Sequence, residues 1–426
     1  MSELKTDSSS KFAISGFIFI VIALGLLFFV PNEADPSRYF VGYLLGISFW
    51  ISILVGMLFL TMIFWLFDAG WAVILRRQFE HALSAFIWMG VILLPLMLFS
   101  VFDGDNEKVA WVWQGLEKLA PGGHGTVGED VLYQKKALYL NKVGFAVRFI
   151  LIFAVWSGLA YLFRKWSFRM DETGDHKYVD RSRRLAAAGI FLAAIFSSFA
   201  AIDWFKTLNY HWFSTMYGVW FFAASMRAAL STAVLILFWQ AGREEGGLRG
   251  IVKPIHTYLI ACLMLAFTMF WGYISFSQFF IIYNANIPEE TFWYNIRELT
   301  SSGSKSGWYI ISRMLIFLHF FAPFLWLLWF KNKFAWRLKM VAIWILVFHF
   351  VDLIWNIVPQ KLGDPTHESP VGYIVRPLGL GVTLVDIFAW AGAGCFFLFA
   401  FLRSVHRYRA IPIRDPRINE SIHYHG

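Results

Sequence analysis

Asp203-Trp-Phe-Lys-Thr-Leu-Asn-Tyr-His-Trp-Phe-Ser-Thr-Met-Tyr-Gly-Val-Trp-Phe-Phe-Ala-Ala-Ser-Met-Arg227 leaves one apolar stretch, passes through a short aromatic turn and enters another. Asp203, Lys206 and His211 stand there among Trp204, Tyr210, Trp212 and Tyr217, the mixture expected where a chain reverses at a membrane-water interface. Arg227 is different. It follows the turn by about twelve residues, which at about 1.5 Å each places it near the middle of a hydrocarbon core. An unpartnered arginine costs about 2.5 to 3.5 kcal/mol there, so it must face protein, water or a carboxylate. Ala223, Ala224 and Ser231 make its helix face small, so a second helix can approach and bring an anion. A purely structural pairing of two helices is the plainer reading of such a charge, and a functional site is the sharper one.

Outward from that stretch the whole chain has the same character. Of 426 residues 58% are hydrophobic and only 15% charged, against about 25% charge in soluble domains. The composition is that of an all-α integral membrane protein. Apolar runs predict about ten transmembrane helices in a single polytopic domain over 1–426, at 12–30, 39–66, 82–101, 144–163, 185–201, 215–239, 254–283, 307–330, 334–358 and 380–402. The expected arrangement is two four-helix bundles plus two peripheral helices. The first run has no small-residue cleavage site after it and reads as a retained span.

Charge placement tests the count independently. With the N-terminus inside, 23 of the 37 Lys and Arg fall in inner loops and tails, 11 in outer loops and three within spans. That bias predicts a multi-pass protein of a bacterial inner membrane with both termini cytoplasmic and with 102–142, 284–306 and 359–379 facing outward. The net charge of +9 is spread over short loops, which speaks for topology and against nucleic acid. Cys262 and Cys395, the two cysteines, both lie in apolar runs, so there is no iron-sulfur ligand set. P-loop, GxSxG, zinc and Rossmann spacings are absent too, and no self-contained enzyme is visible. Gly42 and Gly46 are small residues four apart, a close-packing seam. Leu66-Phe-Asp-Ala-Gly70 and Phe238-Trp-Gln-Ala-Gly242 are faintly alike, four spans apart.

Polar residues inside spans form the informative inventory, since each must find a partner. His349, Asp352 and Asn356 share one helical face; Arg313 and His319 lie about six and twelve residues below the outer interface; Asp386 shares a face with Thr383. Asp68, Glu80 and His81 stand near the inner interface, where ordinary interfacial roles suit them. Taken with Asp203 and Arg227, these residues form a ladder of titratable groups from the inner side to the outer third, which carries protons if water links it. Arg313 is expected to be neutralised by Asp386 or Asp352, at similar depth. His319 and His349 lie at depths that permit bis-histidine haem ligation, but they are one pair with no supporting glycine pattern, and the sequence argues against haem.

At Asp203-Trp-Phe-Lys-Thr-Leu-Asn-Tyr-His-Trp-Phe-Ser-Thr-Met-Tyr-Gly, and again at Ser277-Gln-Phe-Phe-Ile-Ile-Tyr-Asn-Ala-Asn-Ile-Pro-Glu-Glu-Thr-Phe-Trp-Tyr, the chain resembles membrane subunits of bacterial alternative complex III, of the NrfD-like (polysulfide-reductase-like) family. It is more similar to the F subunit than to the C subunit. The resemblance implies a subunit of a respiratory quinol:electron-acceptor oxidoreductase with no redox cofactor of its own. Menaquinol or ubiquinol would be substrate of the complex, and the C subunit the better candidate for its pocket. The implied partners are the NrfD-like C subunit, iron-sulfur and haem c subunits, lipids and a terminal oxidase, and the F subunit is thought to offer a proton route. A secondary transporter is the alternative, since it would show similar spans and buried charges.

Overall fold

A computed structural model describes residues 9–121, 125–244, 247–363, 373–376 and 382–424. Much of the expected outer loop 359–379 therefore lies outside the described residues. Among the described residues, ten helices are long and apolar enough to cross a membrane: Ser9–Phe29, Arg38–Leu66, Gly70–Phe102, Lys142–Thr173, Lys177–Asn209, Tyr217–Ala241, Pro254–Ala285, Gly307–Leu328, Ala335–Ile357 and Leu384–Arg407. They are called the first to tenth spans below. The protein is all-α, as helices satisfy every backbone group within their own segment in a medium without water. The two strands among the described residues, Lys361–Gly363 and Tyr373–Val375, form one antiparallel ribbon in a loop.

Local chemistry sets several helix ends. The Asn141 side chain accepts from Gly144 N at 2.6 Å to open the fourth span, and Gly174 closes it at φ 71°. Pro254 opens the seventh and Asn286, at φ 49°, closes it. The tenth begins at Thr383 with a capping box in which Asp386 accepts from Thr383 N at 2.5 Å.

The second to fifth spans pack as one bundle and the sixth to ninth as another, while the first and tenth run antiparallel as an outlying pair held on the second. The second and sixth spans form the spine, since 89% and 83% of their apolar windows are buried, against 22% for the first. They touch at backbone distance: a Cβ on Gly56 would fall 2.1 Å from Ser225 O. The Gly42/Gly46 seam is occupied by the tenth span, whose Trp390 N and Ala389 lie 2.6 and 2.8 Å from a Cβ built on Gly46.

Three helices overrun the apolar runs that announced them, because hydropathy marks the hydrocarbon slab and not the helix end. The third starts at Gly70, twelve residues before the expected 82, through two short 3-10 turns around Val73–Ala82. All ten residues of that segment are buried. Arg76, Arg77, Glu80 and His81 are therefore covered by protein. The end of the bundle that carries both termini, called the inner end below, has a second tier, which the chain after Arg409 covers: Gln78 donates to Ala410 O at 2.9 Å, Ser421 Oγ to Trp71 O at 3.0 Å, and the His256 ring meets Ser421 O at 3.0 Å.

Candidate functional site

The two bundles differ inside. The centre of the first is aromatic: the rings of Phe153, Trp156 and Trp204 lie 5.7 to 5.9 Å apart, with Trp156 Nε1 donating to Ser197 Oγ at 3.2 Å. The centre of the second is charged. Arg227 on the sixth span donates through Nη1 to His319 Nε2 at 3.0 Å and through Nη2 to the His319 carbonyl at 2.8 Å. That carbonyl is available because Pro323, four residues on in the eighth span, has no N–H to donate to it; the π-helical segment Leu315–Phe321 leads into that proline. Trp271 of the seventh packs at 4.5 Å on the His319 ring and 5.3 Å from the guanidinium. Its indole donates to Asp352 Oδ2 at 3.0 Å, and Asn356 donates to Asp352 Oδ1 at 3.0 Å. His319 Nε2 stands 3.9 Å from Asp352 Oδ2. All four bundle helices contribute, and Arg227, His319 and Asp352 are each 1% exposed.

Arginine only donates, so in this arrangement His319 Nε2 accepts and its proton is on Nδ1. That Nδ1 is buried and has no hydrogen-bond partner, as is Arg227 Nε, and the same holds for Ser231 Oγ one turn along the sixth span. Buried polar atoms are nearly always satisfied, so these three leave hydrogen-bonding capacity unused beside Arg227. His349 faces the spine, where its Nε2 meets Ser52 Oγ at 2.8 Å. Both central histidines thus have Nε2 engaged by neighbouring side chains.

Outward the site continues. Arg297, buried between the rings of Trp293 at 3.4 Å and Trp355 at 4.9 Å, donates to Asn356 O at 3.0 Å, to Trp355 O at 2.9 Å and to Trp293 O at 2.6 Å. Asp352, Asn356 and Arg297 therefore join the centre to the loop end. Burial pushes the Arg297 guanidinium down to about 9. On the inner side the sixth span offers Ser231 and then apolar residues and backbone-bonded Thr232 until Gln240, which donates to Gln78 Oε1 at 2.8 Å.

The expected ladder is thus five separate groups, the centre just described and four others. Glu80 belongs to a buried inner network, accepting from Ser167 Oγ at 2.5 Å with Arg76 and Arg77 each at 3.6 Å; those arginines also pair with Asp415 and, at 2.6 Å, Asp171. His81 meets Ser404 Oγ at 2.9 Å. Asp68, at φ 54°, is a rim residue held by Arg417 and by Arg183 at 2.8 Å. Asp203, in a second π-helical segment Ala201–Phe205, pairs with Arg148 at 2.7 Å in the first bundle. Asp386 is held by Arg38 at 2.8 and 3.0 Å.

One expectation is overturned. Arg313 is neutralised by neither Asp386 nor Asp352; it is exposed on the outside of the eighth span with Tyr309 as its partner. A helical wheel gives the face but not which face the neighbours cover. Sequence reading also missed Arg38, Arg297 and Arg376, all fully buried. Arg376 pairs with Asp35 and donates to Val358 O at 3.0 Å. The signal available for Arg38 was its place one turn before Gly42, and for Arg297 its aromatic surroundings; loop position hid all three.

The fold and this interior define the protein as a multi-pass, all-α membrane protein with one charged and one aromatic bundle. No protein-family model matches the chain, and no curated protein matches it in sequence.

Proposed function

We propose that the chain is a membrane subunit of a bacterial respiratory quinol:electron-acceptor oxidoreductase of the alternative complex III kind, and that its second bundle holds the proton-exchanging group of a half-channel open to the outer side. The observation that carries the second part is the Arg227–His319–Asp352 cluster, hydrogen-bonded outward through Asn356 and Arg297 and followed inward by an apolar stretch. The motifs at Asp203 and Ser277 support the first part.

The chemistry follows from the geometry. Asp352 is the proton acceptor, held by the Trp271 and Trp220 indoles and the Asn356 amide, and its charge compensates Arg227 across His319. A proton arriving on Asp352 removes that compensation and leaves the guanidinium held by His319 alone. His319 Nε2 is 3.9 Å from the carboxylate, and moving about 1 Å closer brings it within hydrogen-bond range. Arg227 must release Nε2 before the imidazole takes that proton, which couples the transfer to a side-chain displacement. Redox groups and the quinol pocket belong on this reading to partner subunits, the NrfD-like C subunit and the iron-sulfur and haem c proteins. Both termini lie in the cytoplasm of a cell with this complex in its inner membrane.

Affinity purification under mild detergent is the test. A redox subunit arrives with haem and iron absorbance from its partners and with quinol oxidation activity; a colourless, partner-free preparation that moves a solute in vesicles would establish a transporter instead. In the assembled complex, Asp352→Asn is expected to lower proton-coupled turnover at least tenfold while subunit composition is unchanged. Undiminished proton coupling in that variant would remove Asp352 from the route.

A further inference from the structure

The fourth span continues past its apolar run as Arg164-Lys-Trp-Ser-Phe-Arg169, and with the end of the tenth span it encloses a cleft of about 350 Å³ at the inner end of the molecule. Arg164, Lys165 and Arg169 line it, opposed by one carboxylate, Glu172. Phe168 and Tyr408 are stacked at 4.1 Å with their planes 9° apart and form one wall. Arg164 lies 5.5 Å from the Phe168 ring and Arg407 5.5 Å from the Tyr408 ring. Arg164 is fixed by donating to Ser404 Oγ at 3.0 Å, yet its Nε is buried with no partner in the protein. A fixed guanidinium with an unused donor, two further cations and a concave wall make a receptor for an oxyanion.

Position identifies the kind of oxyanion. Arg164 is the first charged residue after the 144–163 apolar run, so the cleft lies at headgroup depth. Beside it the third span packs against both the fourth and the tenth, and on its outward course exposes Ile87, Val91, Leu94 and Leu98. Their spacing draws one apolar stripe along the helix, leading away from the cleft in the direction acyl chains take. A soluble phosphate would satisfy the cations and leave the stripe without a role.

We propose that this cleft binds an anionic phospholipid, with the phosphodiester on Arg164, Lys165 and Arg169 and the acyl chains along the third span. Basic pockets between spanning helices hold such headgroups in general. The site does not involve the Arg227 cluster.

The test uses the delipidated full-length chain in detergent, titrated with phosphatidylglycerol, phosphatidylcholine or inorganic phosphate and read by native mass spectrometry. Phosphatidylglycerol is expected to bind at least tenfold more tightly than phosphatidylcholine. Lys165→Gln/Arg169→Gln, which removes no hydrogen bond from the core, should weaken it about twenty- to thirtyfold at ~1 kcal/mol per charge. Lys305→Gln/Arg313→Gln, which removes two exposed cations at the other end, should leave it unchanged. Arg164→Lys keeps charge and loses the fork, and should weaken binding while melting as the wild type does. Equal binding of the two lipids, equal losses in both double variants, or occupancy by inorganic phosphate that excludes phosphatidylglycerol would each overturn the proposal.

Discussion

Arg227 and Arg313 are both arginines within apolar spans, and the structure gives them opposite fates. Arg227 is enclosed, so replacing it with Met leaves Asp352 as an unpaired buried charge; breaking one partner of such a pair costs about 3 to 5 kcal/mol. Arg313 is exposed, with a tyrosine hydroxyl for company, and Arg313→Met should change stability by less than about 0.5 kcal/mol. Thermal unfolding of the two variants in one detergent separates them; similar losses would show that the Arg227 pocket is not sealed. Arg227→Gln keeps hydrogen bonding but removes the same charge, so it is expected to lose stability as the Met variant does, and the complex that assembles is expected to fail in proton coupling. Normal coupling would limit the arginine to a structural part.

Between elements, the contact that constrains the architecture most is the one at Gly56, where the two spine helices meet with no side chain between them. Gly56→Ala must separate the second and sixth spans, and overpacking of this kind costs about 1 to 3 kcal/mol or more. Gly25→Ala is the control, since nothing lies within 4 Å of its would-be Cβ; a Gly56 variant as stable as the Gly25 variant would contradict the packing. The outer turn after Asn209 is a latch of another kind. Asp130 caps the helix Val131–Lys136 by accepting from Leu132 N at 2.8 Å, and also accepts from Tyr210 OH at 2.5 Å while meeting the His211 ring at 2.5 Å. Burial pushes His211 below its ordinary 6.5 despite the nearby carboxylate. For Asp130 burial acts upward, but the hydrogen bonds from Tyr210, His211 and Leu132 outweigh it and hold the acid below its ordinary 3.8. Both folded values lie below the unfolded ones, so on acidification the unfolded segment takes protons first. The latch is therefore at full strength above about pH 6.5 and weakens as the pH falls through the histidine range. Hydrogen exchange in 125–141, corrected for intrinsic rate, should be faster at pH 5.5 than at pH 7.5; equal protection would refute the assignment.

For the whole molecule, ten spans put both chain ends at one end of the bundle, and reporter fusions at residues 9 and 424 should both report the cytoplasm. A periplasmic C-terminal reporter would reverse every depth discussed above. The ten spans were legible in the sequence because burial in lipid demands about twenty apolar residues each time, and Arg227 was legible because a charge at that depth needs a partner. Its partners were half legible: His319 was visible as a polar residue at the same middle depth and Asp352 as one in the outer third, but their convergence depends on helix rotation, which periodicity does not fix. The freed His319 carbonyl is signalled by Pro323 four residues on, which lacks an N–H, but the π-helical turn itself has no signal in composition. Neither does the second tier at the inner end, since Arg76-Arg77 reads as an ordinary inner-loop charge pair until tertiary packing surrounds it.

That tier makes the order of synthesis matter. Arg76 leaves the ribosome 339 residues before Asp415, its carboxylate partner at the covered inner end. Until then Arg76 has only Glu80, which it shares with Arg77 at 3.6 Å each, and the last stretch of chain delivers its second carboxylate. A chain that stops short of Asp415 would keep every span yet carry an open, charged inner end.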